Sequence, residues 1–273
     1  MVDRRTLLSG LTAAGALALA GCGSAKDSPK PTRSTSIPSA TRTTAEASPH
    51  PTVADTIASG LNVPWGIVFL ANGDALVSQR DKGTVVRIST AGKVSTVGAV
   101  KGVVGSNGGG EGGLLGIATA AGDESTLFAY ITTGSDNRVV KMDLSPTSLG
   151  TPKVILPGIL TSLHHHGGRL LFDPKGRLYV STGDAEQPQL AQDKSSLAGK
   201  IMRVDQDGKA VAGNPFDNRT WSYGHRNIEG LAFDSAGRLW ASEFGDKSAD
   251  ELNLIKRGGN YGWSRSATCW WAP

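Results

Sequence analysis

The stretch NVPWGIVFLANGDALVSQRDKGTVVRIS, residues 62–89, holds an apolar strand, an Asn-Gly turn, a second strand ALVSQR, a Gly-containing turn and a third strand VVRIS. Asn-Gly between apolar runs is a strong hairpin signal, because the favoured turn needs positive φ at both central residues. The same order recurs in GGLLGIATAAGDESTLFAYITTGSDNRVVKMDL (112–144). It returns in GGRLLFDPKGRLYVSTGD (167–184), followed after an insertion by GKIMRVD (199–205), and in IEGLAFDSAGRLWASEFG (228–245), followed by DELNLIKRG (250–258). Marked by Gly66, Gly116, Gly168 and Gly230, the copies lie 50, 52 and 62 residues apart. A period of this size, with three or four short strands per copy, is the signature of β-propeller blades. The expected fold is all-β, a β-propeller with about four blades in residues 53–263. A β-sandwich or an irregular β-solenoid is the competing architecture.

Composition agrees with a β-rich chain: 36 of 273 residues are Gly, and long helix-forming runs are few. The first 22 residues, MVDRRTLLSGLTAAGALALAGC, have the layout of an export signal. Leu19-Ala20-Gly21-Cys22 resembles a bacterial lipobox, which makes Cys22 the expected lipidation site, and Arg4-Arg5 resembles a twin-arginine signal. An ordinary cleaved signal with an incidental Cys22 is the alternative. The expected location is the outer face of the cell membrane, reached only through the lipid anchor. Residues 23–52 are rich in Ser, Thr, Pro and Ala and cannot bury enough apolar surface to order themselves, so they read as a flexible tether. Cys269 is the one other cysteine, which leaves no internal disulfide framework once Cys22 is lipidated. Residues 1–50 carry six basic and three acidic side chains of the chain's 28 and 24, so the remainder is close to neutral and no nucleic-acid partner is expected.

The ordered series NVPWGIVFLANGDALVSQR, GEGGLLGIA (110–118), HHGGRLLFDPKGRLYVSTGD, LAGKIMRVDQDG (197–208), YGHRNIEGLAFDSAGRLWASEFG (223–245) and DELNLIKRGGNYGW (250–263) resembles the glucose/sorbosone dehydrogenase family. The resemblance implies a six-bladed propeller of the quinoprotein dehydrogenase type. It also implies a soluble aldose dehydrogenase dependent on pyrroloquinoline quinone (PQQ) and Ca²⁺, passing electrons from a sugar to an acceptor. The family's last two blades supply further Lys and Arg to the cofactor. Here GGNYGW is followed by SRSATCWWAP, so residues 264–273 read as a tail outside the family and the chain as a C-terminally shortened member. Two functions follow: an extracytoplasmic oxidoreductase converting an aldose at its anomeric carbon to a lactone, or a surface-anchored propeller that binds carbohydrate or protein without redox chemistry.

Candidate site residues follow from the same resemblance. His164, His165 and His166 stand in a row; on an extended strand His164 and His166 would share a face opposite His165, which argues against one metal site. In the family the His four residues before the hairpin Arg is the general base, here His165, with an exposed loop histidine as the plain alternative. Arg226 and Asn227 match the residues that contact the cofactor's quinone end, although Arg226 could instead pair with Glu229. Gly245 and Asp246 match a Glu-His-Gly-Pro loop whose carbonyls ligate Ca²⁺; here Phe244 replaces the His and Asp246 the Pro. Glu111 matches a polar residue near the substrate, and a carboxylate there either accepts sugar hydroxyls or is simply solvated. Asp205 and Asp207 lack the rest of an EF-hand loop and read as an Asp-Gly turn. A hydrolase has little support, since no nucleophile motif is present.

Overall fold

The computed structural model describes residues 52–106 and 108–264. The expected export signal, Cys22, the tether through residue 51 and tail residues 265–273 lie outside the described residues. The first antiparallel sheet is Pro64–Phe69 (β1), Ala75–Gln79 (β2), Thr84–Ile88 (β3) and Val94–Ala99 (β4), in chain order. The second is Leu114–Ala120 (β5), Asp123–Thr132 (β6) and Asn137–Ser145 (β7), with Ser148–Leu149 (β8) and Lys153–Ile159 (β9) both paired to β7. Gly167–Phe172 (β10), Leu178–Thr182 (β11), Lys200–Val204 (β12) and Thr220–Tyr223 (β13) make the third. Ile228–Phe233 (β14), Leu239–Glu243 (β15) and Glu251–Ile255 (β16) make the fourth. These are four blades of a β-propeller, as the repeat implied.

The turns form at the expected corners, but the Asn-Gly corner is a three-residue loop in which Gly73 (φ 88°) and not Asn72 has positive φ. Leu70 N–H bonds Asp74 O (2.8 Å) and Gly73 N–H bonds Leu70 O (2.9 Å) at the Asn-Gly corner. In blades three and four the carboxylates of Asp173 and Asp234 take over the corner, each accepting two backbone N–H groups from the turn that follows it.

Each inner strand carries a bulge near its start, between Pro64 and Ile67, Leu114 and Ile117, Gly167 and Leu170, and Ile228 and Gly230. Opposite the bulge, a second-strand hydroxyl rivets the blade to its neighbour. Ser78 Oγ accepts Gly66 N–H (2.7 Å) and donates to Leu115 O (2.6 Å), and Ser181 Oγ accepts Arg169 N–H and donates to Ile228 O, both at 2.9 Å. In blade two Tyr130 does the work, its hydroxyl donating to His166 O at 2.9 Å. The inner strands pack so closely that a Cβ at Gly116 would lie 2.1 Å from Gly168 O. Between blades, apolar faces close the core: Leu76, Leu114 and Leu127 between one and two; Phe128, Leu170 and Val180 between two and three; Ile201, Ile228 and Leu239 between three and four.

One charged group sits inside this packing. Lys200 in β12 has no exposure, and its Nζ donates to the carbonyls of Leu190 (2.8 Å), Ala191 (3.1 Å) and Ala198 (2.5 Å). It thereby ties down the long loop between β11 and β12, which includes a short 3₁₀ turn at Pro188–Ala191. Burial pushes the ammonium down to about 8. Lys200→Met leaves Ala198 O unpaired and takes one of two donors from Leu190 O and Ala191 O, which keep Asp193 N–H and Gly224 N–H, and should cost about 1–3 kcal/mol. The unfolded chain holds its proton to a higher pH than the folded one, so the wild type gains stability as pH rises above about 8. The gap between wild type and Lys200→Met in denaturant midpoint should therefore be wider at pH 10 than at pH 7.

Candidate active site

Because the strands alternate in direction, the loops entering the inner strands and the loops joining second to third strands lie at one end of the blades. There they line a cavity of about 420 Å³. Glu111 comes from the loop before β5, His164 and His165 from that before β10, Arg226 and Asn227 from that before β14, and Phe244, Gly245 and Asp246 from the β15–β16 connection. Six expected residues, Glu111, His165, Arg226, Asn227, Gly245 and Asp246, thus meet at one place; Cys22 lies outside the described residues.

The three histidines do not form an extended strand. β10 starts only at Gly167, and His165 has φ 61°, in the left-handed region. Consequently His164 and His166 do not share a side. The His164 ring meets Glu186 (Nδ1 to Oε1, 3.2 Å), whereas His166 is buried between Thr132 Oγ1 (3.3 Å) and Asn137 Oδ1 (3.1 Å). Burial holds the His166 pKa below the ordinary imidazole range, and its Nε2 has no partner. A left-handed conformation costs a non-glycine residue roughly 1–2 kcal/mol. Two contacts hold His165 in it. Glu111 Oε2 accepts His165 N–H at 2.7 Å, and His165 O sits so close to Gly183 that a Cβ there would lie 1.8 Å away.

The His165 ring is oriented by a residue that sequence reasoning missed. Asp184 has no side-chain exposure, and its Oδ1 lies 2.7 Å from His165 Nδ1. Asp184 Oδ1 also accepts Glu186 N–H (2.9 Å), and Oδ2 accepts Trp263 Nε1–H (2.6 Å). A carboxylate so surrounded by donors accepts from Nδ1–H, which assigns the proton to Nδ1 and leaves Nε2 with a lone pair. The ring is 16% exposed, so that lone pair is within reach of a ligand. The only sequence signal for Asp184 is its place just past the second strand, where the blade ends at the rim.

Arg226 pairs with a different carboxylate from the Glu229 considered above. Its Nη2 lies 3.6 Å from Asp246 Oδ1, its Nη1 donates to Phe244 O (3.3 Å), and it lies 5.5 Å over the Trp263 ring. Glu229 instead accepts from Asn227 Nδ2 at 3.2 Å, and burial, with Glu111 nearby, raises its pKa. Asn227 is 1% exposed and braces blades three and four, its Oδ1 accepting Gly167 N–H at 2.8 Å. The Asp205–Asp207 segment is a turn, as read: Asp205 Oδ1 accepts the N–H of Asp207 and Lys209, and Asp207 pairs with Lys141.

Arg226 Nε is buried without a partner. An unpaired guanidinium N–H beside a cavity fits an anionic oxygen, as a quinone with carboxylates would supply. In the Phe244–Asp246 loop, Phe244 O and the Asp246 carboxylate face Arg226, which leaves the Gly245 and Asp246 backbone carbonyls as hard oxygen donors of the type Ca²⁺ takes. The donor chemistry of the site therefore fits both groups.

Fold and site together define a propeller of the quinoprotein dehydrogenase class, with a carboxylate-held histidine and an arginine across one cavity. The chain belongs to the glucose/sorbosone dehydrogenase family, whose model matches residues 61–269 and so takes in part of the tail expected to fall outside it. It is 31% identical to quinoprotein glucose dehydrogenase B of Acinetobacter calcoaceticus, over 77% of this chain and 52% of that one. Identity is 32% to aldose sugar dehydrogenase YliI of Escherichia coli, over 80% and 63%. The PQQ-bound aldose sugar dehydrogenase of Streptomyces coelicolor superposes with a TM-score of 0.74 at 45% identity, over 79% of this chain and 66% of that one. The chain thus spans between about half and two thirds of these relatives' lengths.

Proposed function

We propose that the chain carries the catalytic half-site of an extracytoplasmic, PQQ- and Ca²⁺-dependent dehydrogenase that oxidises an aldose at its anomeric carbon to a lactone. The observation that carries this reading is that His165, presented with a free Nε2, and Arg226 line the same cavity. When bound, PQQ with Ca²⁺ would supply the two-electron acceptor for the hydride. His165 Nε2 takes the proton of the anomeric hydroxyl as the C–H bond breaks, and Asp184 stabilises the imidazolium that results. Arg226 would hold the quinone end, and Gly245 and Asp246 the cation. Glu111 keeps one carboxylate oxygen on His165 N–H, which leaves the other for a sugar hydroxyl. Anchoring through Cys22 to the outer membrane face is part of the proposal and rests on the N-terminal sequence. An external electron acceptor completes the cycle.

Thermal unfolding of residues 53–273 with Ca²⁺ and rising PQQ tests the site directly. At a cofactor concentration about 100 times Kd, linkage predicts about 2.7 kcal/mol of stabilisation, a rise in Tm of roughly 5–10 °C. Arg226→Ala should abolish most of that rise without lowering the Tm of the cofactor-free protein by more than about 2 °C. No rise in the wild type would favour the non-catalytic binding module.

A further inference from the structure

Behind Arg226 lies a line of buried polar groups that the mechanism does not use. Ser222 ends toward His225 on β13, with Ser222 Oγ 2.8 Å from His225 Nε2; His225 Nδ1 is 2.8 Å from Glu243 Oε2; and Glu243 Oε1 accepts the backbone N–H of Arg226 at 2.5 Å. Ser222 and His225 have no exposure, and Glu243 is 7% exposed. Tyr261 stacks on the His225 ring at 4.6 Å and closes it from above. The residue types are those of a hydrolytic triad, but Ser222 is sealed from solvent and no substrate carbonyl can reach it. The hydrogen bonds run one way: Ser222 O–H donates to His225 Nε2, and His225 Nδ1–H donates to Glu243. The Glu243 carboxylate thus meets one donor from the line and one from the Arg226 main chain, with Asn253 Nδ2 adding a longer bond of 3.3 Å.

We infer that Glu243 and His225 are positioning residues that fix the main chain at Arg226 and so aim its guanidinium into the cavity. The inference rests on the functional reading above for its effect on the cofactor, but its structural half is testable without one. The Arg226 carbonyl is held separately by Asp184 N–H at 2.8 Å, so Glu243 supplies the bond on the amide side of the same residue. A carboxylate is required rather than an amide. In Glu243→Gln the carboxamide must turn its NH₂ toward either the His225 Nδ1–H or the Arg226 N–H, setting donor against donor in a buried site.

The test combines a spectroscopic signal with a double-mutant cycle. In cofactor-free protein labelled with ¹⁵N-arginine, the Arg226 Nε–H resonance, assigned by its loss in Arg226→Lys, should shift or broaden in Glu243→Gln. Ser222→Ala, a milder change at the far end of the line, should move it less. Ile255→Ala, which loosens the core of the same blade, should lower Tm and leave it in place. With PQQ and Ca²⁺, Kd should rise about tenfold in Glu243→Gln, and adding Glu243→Gln to Arg226→Ala should cost nothing further. An unchanged Nε–H resonance, or full additivity in the cycle, overturns the assignment. Absence of PQQ binding in the wild type would instead sink the functional reading, and the resonance would still decide whether Glu243 positions Arg226.

Discussion

His165→Ala is expected to lower kcat for aldose oxidation by about a thousandfold, within the range that a positioned general base contributes. The sugar KM should stay within about threefold, because the ring acts on the hydroxyl proton rather than carrying most of the binding. The fold should survive: the backbone bond from His165 N–H to Glu111 and the close approach of His165 O to Gly183 do not involve the side chain. Removing the ring also frees a left-handed residue from a bulky side chain, so no large loss of Tm is expected. Steady-state kinetics with a panel of aldoses and an artificial acceptor, beside a thermal melt, checks both halves. Turnover that persists within tenfold of the wild type would move the base elsewhere on the rim.

Asp184→Asn should be nearly as damaging, by roughly 10²–10⁴ in kcat, although the change is a single atom. Asp184 faces three donors, on His165, Glu186 and Trp263. An amide cannot accept from all of them. If its NH₂ faces His165, the ring must offer the Nδ1 lone pair, which sends the proton to Nε2 and turns the base into a donor. If its NH₂ faces Trp263, two N–H groups oppose each other in a site without exposure, and stability falls by about 1–3 kcal/mol. Either orientation sets donor against donor, at Glu186 N–H in the first and at Trp263 Nε1–H in the second, so both lower Tm, and the first lowers kcat further by moving the ring proton to Nε2. Retained kcat with retained Tm would remove Asp184 from the mechanism.

The carboxylate behind His165 and the one behind Arg226 explain which parts of the site were legible beforehand. His165, Arg226 and Asn227 stand in local motifs, His-x-Gly-Gly-Arg and Gly-His-Arg-Asn, whose residues lie within a few positions of one another. Asp184 is 19 residues from His165, and Glu243 is 18 from His225, each on a strand end that reaches the rim only when the blades fold. No periodicity marks such a pair, because its members stand on loops and strand ends at the rim, outside the alternating stretches that a period-two pattern describes. The histidine run shows the converse error. On an extended strand residues 164–166 alternate, but the chain there turns through a left-handed His165, and three neighbouring rings go to three separate partners.

By itself the sequence determined the blades and their turns, since a period-two apolar pattern and the Asn-Gly, Lys-Gly and Ala-Gly corners act over a few residues and need no distant partner. The glycines at Gly66, Gly116 and Gly168 likewise marked the inner strands before any contact was visible. Only the tertiary structure decided which nitrogen of His165 is free, which carboxylate faces Arg226, and how the buried line from Ser222 to Glu243 runs. Those features depend on groups brought together at one rim of the folded blades, from positions 3 to 79 residues apart in the chain. Hydrogen-bond geometry at that range is set by where whole sheets come to rest, and no local stretch of sequence encodes it.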